Sequence, residues 1–131
     1  MFLTRECDYA IRVVRDLANQ EMKPVKTICE RENIPHPFAY KILKKLEHAG
    51  IVNSFRGAVG GYQLAKAPES ITLFDIVNAV DDNLLINECP KEGYECTRYS
   101  GGRACGVHRE LMRIQNILSK ALYEKTMDKL I

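Results

Sequence analysis

Cys89, Cys96, Cys105 and His108 are the residues of this chain best suited to chemistry. They form the pattern C-x6-C-x8-C-x2-H. Three thiolates and an imidazole can complete four-coordination of zinc or ligate an iron–sulfur cluster. The spacing differs from the paired knuckles of a zinc finger and from ferredoxin runs, so the pattern names a donor set rather than a metal. The competing reading is a loop of reduced, unliganded thiols. Three cysteines within 17 residues favour the metal or cluster. Cys7 and Cys29 are expected to be small, at least partly buried residues, Cys29 on an apolar helical face. His36 and His48 are expected at the surface or near DNA. An odd total of five cysteines argues against a disulfide framework.

These donors need elements to position them. Residues 81–102 carry Pro90, Gly93, Gly101 and Gly102 and few large aliphatics after Ile86, which reads as a long loop. A helix follows, from about residues 103–106 to about Glu124. In it Val107, Leu111, Ile114, Leu118 and Ala121 recur at alternating steps of four and three, a heptad seam. Met112, Ile117 and Leu122 widen that apolar face beyond what one small domain covers. The expectation is a dimerisation helix.

Upstream, Thr4 can cap a helix running to about Gln20, with Tyr9, Val13, Val14 and Leu17 on one apolar face. Val25, Ile28 and Cys29 mark a second helix, which Ile34-Pro35 should stop. A third begins near Pro37, presents Phe38, Ile42, Leu43 and Leu46 as its apolar face, and closes at Ala49-Gly50. Two helices joined by so short a turn suggest a helix-turn-helix. Residues 51–55 and 62–65 can pair as strands around Arg56-Gly57-Ala58-Val59-Gly60-Gly61, a glycine-rich hairpin tip. A hairpin there is a wing. Thr72 then caps a helix over residues 73–80.

Charge follows the same division. Residues 23–66 hold eight Lys and Arg against three Glu, a balance of +5, so the rest of a chain of net +2 carries −3. Positive charge gathered on one module suits phosphate contact. The expected DNA-facing residues are Phe38, Tyr40, Lys41, Lys44 and Lys45 of the third helix and Arg56, Gly57, Gly60 and Gly61 of the wing. A plain solvated lysine face is the competing reading, and the adjoining turn and wing weigh against it.

The expected class is mainly α: a winged helix-turn-helix with a small β-hairpin wing and a long C-terminal dimerisation helix. Residues 1–80 would form the DNA-binding domain, 81–106 the cysteine loop, and 107–131 the dimerisation helix and tail. Arg5, Glu6 and Asp8 near the start do not suit a secretory signal, and no apolar run approaches the ~20 residues of a membrane span. A cytoplasmic protein with no membrane partner is expected. No cofactor fingerprint or nucleophile–base pair suggests an enzyme or electron carrier.

The chain resembles the Rrf-type winged-helix regulators, the bacterial family that includes IscR, NsrR and RirA. The residues that carry the likeness are Leu3-Thr4 with Asp8-Tyr9-Ala10, Ile28 with Glu30-Arg31 and Ile34, Leu46 with Ala49-Gly50, and above all Arg56-Gly57, Gly60-Gly61-Tyr62 and Leu64-Ala65. Ala58-Val59 departs from the family's frequent Pro-Gly, and the cysteine intervals are longer than in IscR-like members. The resemblance implies a homodimer on a palindromic operator in double-stranded DNA, acting as a repressor. It implies a [2Fe-2S] or [4Fe-4S] cluster on Cys89, Cys96 and Cys105, with cluster supply, iron, nitric oxide or redox state as the signal. For the fourth ligand it leaves two options open, with Cys7, next to Asp8, a third candidate that reads better as a small, partly buried residue. IscR-like members use a histidine just beyond the third cysteine, matched by His108; NsrR-like members use an aspartate in the partner's first helix, matched by Asp8. A winged-helix regulator with structural zinc or no metal, answering to a partner protein, is the alternative.

Overall fold

The computed structural model describes residues 2–82, 84–97 and 105–131. Helix α1 (Arg5–Asp16) starts where the Thr4 hydroxyl accepts the Cys7 N–H at 3.3 Å. Glu6 and Asp8 sit in its first turn, where the helix dipole favours acids. Cys7, Ala10, Val13, Val14 and Leu17 form its fully buried face. The helix ends at Asp16, short of the expected Gln20. Ala18 and Gln20 donate to Arg15 and Leu17, bonds three residues back that tighten the chain out of the α-helix.

Helix α2 (Val25–Glu32) stops at Asn33 rather than at the Ile34-Pro35 pair. Asn33 takes a left-handed conformation (φ 53°, ψ 54°), and its N–H and that of Ile34 both reach the Cys29 carbonyl. Asparagine tolerates this geometry, so the turn is made one residue before proline could force it. Pro35 instead caps α3 (His36–His48), with Pro37 in its first turn where no N–H is needed.

The buried face of α3 is Ala39, Ile42, Leu43 and Leu46. Phe38 was expected there and is instead 45% exposed, tilted against Tyr9 of α1 with ring centroids 5.8 Å apart. Ala39 fills the site and is fully buried. Gly50 closes the helix at φ 74°.

Strands β1 (Val52–Phe55) and β2 (Gly61–Leu64) pair antiparallel, Val52 opposite Leu64 and Phe55 opposite Gly61. The chain before α2 adds a rung: Lys23 and Tyr62 exchange both backbone hydrogen bonds at 2.9 Å. A Cβ at Gly61 would stand 2.2 Å from the Lys23 carbonyl oxygen. Glycine is therefore set here by the approach of two backbones, and the wing is anchored at its base.

Helix α4 (Leu73–Val80) opens with a capping box in which Thr72 and Asp75 satisfy each other's backbone N–H groups. It buries Ile76, Val77 and Val80 against α1 and α3. Helix α5 (Gly106–Tyr123) lies on α4, with Tyr123 stacked on Phe74 at 4.0 Å between centroids. The tail then returns to the head. Met127 is 2% exposed and its N–H bonds the Ile71 carbonyl at 2.8 Å. Of the expected seam, Val107 is 67% exposed, as is half of Ile117 beside it. Gln115 is the buried residue of α5.

Gly61→Ala should destabilise the fold by about 1–3 kcal/mol, because the added methyl overlaps a backbone oxygen that cannot retreat without breaking the Lys23–Tyr62 rung. Urea unfolding measures this; a midpoint equal to that of the unsubstituted protein would contradict it.

Candidate nucleic-acid interface and cysteine loop

Helix α3 and the hairpin border an open cleft of about 560 Å³. His36, Tyr40, Lys44 and Glu47 enter it from α3, spaced so that each lies about one turn from the next. Phe55, Arg56, Gly60, Gly61 and Tyr62 enter it from the wing, and Lys26 from the start of α2. Tyr40, Lys44, Arg56, Gly60 and Gly61 had been read from the sequence as DNA-facing. Gly57 stands at the wing tip at φ 129°. Lys26 was not among the expected residues, because α2 meets the wing only in the fold; Phe55 and Tyr62 flank the expected wing residues in the same hairpin. His36 is exposed and lines the cleft.

Four of the expected DNA residues lie outside this cleft, Gly57 at the wing tip and three residues of α3. Phe38 rests on Tyr9. Lys41 and Lys45 both pair with Glu6 of α1, Lys45 at 2.8 Å. Lys45 also donates to the Val80 carbonyl at 2.9 Å. The Lys41 bond, then the Lys45 bond, holds the Glu6 carboxyl below the usual range against a smaller opposing effect of desolvation. Tyr62 is shifted the other way, its phenol raised by burial and then by Glu47.

The wing's base rests on a buried ion group. The Asp16 side chain is 1% exposed, and its Oδ1 meets Lys23 Nζ at 3.2 Å and Arg31 Nε at 2.6 Å. Lys23 Nζ also donates to the Asp16 carbonyl. One lysine thus ties the end of α1 to the backbone rung of the wing.

The cysteine loop is described in part. Cys89 Sγ lies 3.1 Å from His108 Nδ1, which joins the start of the loop to the first turns of α5. Gln115, one face further along α5, donates to the Leu84 carbonyl at 2.8 Å and accepts the Ile86 N–H at 2.9 Å. Cys96 and Cys105 are half-buried, Cys105 as the residue that caps α5. Residues 98–104 lie outside the described part. Among the described residues no group of three His, Cys, Asp or Glu is gathered tightly enough to hold a metal ion. The pair Cys89 and His108 is brought together; Cys96, Cys105 and Asp8 are not brought to it.

Asp8 is engaged elsewhere, with Arg12 one turn on at 3.0 Å, and Arg12 in turn donates to the Glu32 carbonyl at 3.2 Å. Asp8 borders a mostly apolar hollow of about 300 Å³ with Leu3, Thr4, Arg5 and Ile11. Cys7 is fully buried, with the Thr4 hydroxyl 3.3 Å from its sulfur. Cys29 is also buried, and burial pushes its thiol up. Both belong to the core.

Comparison with known proteins agrees with this architecture. Residues 3–131 match the Rrf2 family, described as iron-dependent transcriptional regulators. The chain is 39% identical over 130 residues to slr0846 of Synechocystis, a protein named for an HTH-type transcriptional regulator, over 97% of this chain and 85% of that one. It is 31% identical over 134 residues to the HTH-type transcriptional regulator IscR of Vibrio parahaemolyticus, over 100% of this chain and 77% of that one. Among solved structures it is similar to CymR, the global cysteine regulator of B. subtilis, with TM-score 0.74 and 26% identity over 97% and 93% of the two chains. T. potens IscR shares the fold at TM-score 0.76 and 23% identity, over 97% and 83%. The chain belongs to the Rrf2 family: it is a winged-helix, DNA-binding regulator of transcription and not an enzyme.

Proposed function

We propose that the protein binds a palindromic operator as a homodimer, and that an iron–sulfur cluster on its cysteine loop sets how well it binds. Residues 1–80 form the DNA-binding unit in this reading, 81–106 the loop that senses, and 107–131 the dimerisation helix and tail. Helix α3 enters the major groove with His36, Tyr40 and Lys44, and the wing brings Arg56 to the backbone or minor groove. A symmetric dimer presents two such heads to half-sites about 34 Å apart. The exposed Val107 and Ile117 of α5 supply an apolar face for the second copy. Repression by occupying a promoter is the simplest outcome, and a cytoplasmic location agrees with DNA binding. Among the described residues no helix is long and apolar enough to cross a membrane.

The observation that carries the sensor reading is the Cys89–His108 contact. A thiol and an imidazole 19 positions apart are held at 3.1 Å, both half-buried, at the base of a loop that carries two more thiols. The donor chemistry fits an iron–sulfur cluster. Cys89, Cys96 and Cys105 would hold it, with either His108 or Asp8 of the partner subunit as fourth ligand. Such a group supplies a redox centre and a site open to oxygen or nitric oxide, most labile at its non-thiolate ligand. The chain's own contribution is the linkage. Gln115 fixes the loop's first residues to α5, Tyr123 stacks α5 on Phe74 of α4, and α4 packs on α1 and α3. A change in loop order therefore reaches both heads through packed helices, and it regulates only if the two states differ in DNA affinity.

A second reading has its own support. The described thiols are not gathered into a three-ligand site, and the fold is as close to CymR as to IscR. In that reading the loop binds zinc or no metal and answers to a partner protein. Anaerobic purification separates the two. A coloured protein with visible charge-transfer absorption and matching iron and sulfide supports the cluster, with colour lost in Cys89→Ser, Cys96→Ser or Cys105→Ser. A colourless protein with stoichiometric zinc, or with no metal, supports the second reading. Operator affinity should differ between the coloured form and its cluster-free counterpart at matched salt; equal affinity would refute the switch.

Lys44→Gln and Arg56→Gln test the interface itself. Each removes one phosphate contact, so the slope of log affinity against log salt should fall by about 0.9 per substitution. Unchanged slopes in both variants would rule out α3 and the wing as the DNA surface.

A further inference from the structure

The ion pairs of Glu6 give it a role that DNA binding alone does not require. Opposite the buried Ala39, Ile42, Leu43 and Leu46 of α3 runs an outermost stripe of Pro37, Lys41, Lys44 and His48. In the reading of α3 as the groove-facing helix, on which this inference rests, Lys41 and Lys44 are the two cations best placed for phosphate. They are treated differently. Among the described residues Lys44 has no ion pair, whereas Lys41 is turned toward α1 and bonded to one oxygen of Glu6. The other oxygen holds Lys45, which the Val80 carbonyl also retains. The Lys41 side chain remains 56% exposed, so only the pair with Glu6 keeps it from the duplex.

We propose that Glu6 is a specificity-determining residue: by holding Lys41 against α1 it withholds one positive charge from DNA and so weakens sequence-independent binding. Such binding is almost wholly electrostatic and scales with the number of phosphates neutralised. Base-edge contacts, which distinguish the operator, are not made by a lysine on a phosphate. Because non-specific sites vastly outnumber operators, lowering affinity for them raises operator occupancy. The carboxylate competes directly with phosphate for the same ammonium. Lys45, with its second bond to Val80, stays in place if Glu6 is neutralised, so one charge is released rather than two.

The test is a salt series on a duplex lacking any operator, with the full chain as purified and with Glu6→Gln, Lys41→Gln, the double variant and Lys44→Gln. Glu6→Gln should bind roughly 3- to 10-fold tighter at low salt, with a slope steeper by about 0.9. Lys41→Gln should cancel that gain in the double variant and cost less when Glu6 is present than when it is Gln. Circular dichroism and urea midpoints show that each variant is folded. If Lys44→Gln weakens binding while Glu6→Gln changes neither affinity nor slope, the clamp is refuted and the interface stands. Equal costs for Lys41→Gln in both backgrounds refute it too. If Lys44→Gln changes nothing, the interface reading fails and takes the clamp with it.

Discussion

A buried carboxylate at the end of α1 ties the helix-turn-helix and the wing to one point. Asp16 is shielded from water, and an uncompensated charge in such a place costs several kcal/mol. Lys23 and Arg31 offset that cost, and each brings an element with it. Arg31 belongs to α2, so the first helix of the helix-turn-helix is tied to α1. Lys23 belongs to the strand-like segment that pairs with Tyr62, so the wing is tied to the same point. The wing thus leans on α1 through one lysine whose side chain and backbone both serve, and Gly61 is glycine because that approach leaves no room. A two-stranded hairpin is marginally stable alone, and this junction gives the wing a third contact beyond its own pairing.

From that junction the molecule can be followed outward. Helix α1 is packed on α2, α3 and α4, and its buried face has no exposed member. Helix α4 transmits the position of α5, and α5 holds the start of the cysteine loop through Gln115 and His108. The returning tail, with Met127 under the Ile71 backbone, closes the far side of the head. The proposed DNA surface and the loop are therefore ends of one continuous packing, which gives a signal at the loop a packed route to that surface.

Much of this was legible in the sequence, for reasons that are local. Gly50, the Thr72 capping box and the apolar spacing of Val13, Val14, Leu17, Ile42, Leu43 and Leu46 act within a turn or two of chain, and each element was found where they placed it. Two local signals were misread because a competitor lay beside them. Asn33 could adopt the left-handed turn before Pro35 imposed a stop, and Ala39, not Phe38, took the buried place on α3. The engagement of Lys41 and Lys45 was not legible, since Glu6 lies 35 and 39 residues away and only the fold brings it near. The same holds for Lys26 in the cleft and for Met127 in the core. The Cys89–His108 contact was foreshadowed by residue type, but sequence spacing alone cannot show which donors converge.

The central claim is that α3 and the wing read DNA as one surface fixed by the Asp16 junction. Backbone amide shifts of the protein, followed by NMR as operator duplex is added, address it most directly. The account predicts that perturbations gather on residues 36–47 and 54–62 together, with those of the Lys23–Tyr62 rung unbroken in the complex. Perturbations confined to α5 and the loop, or to α3 without the wing, would contradict it.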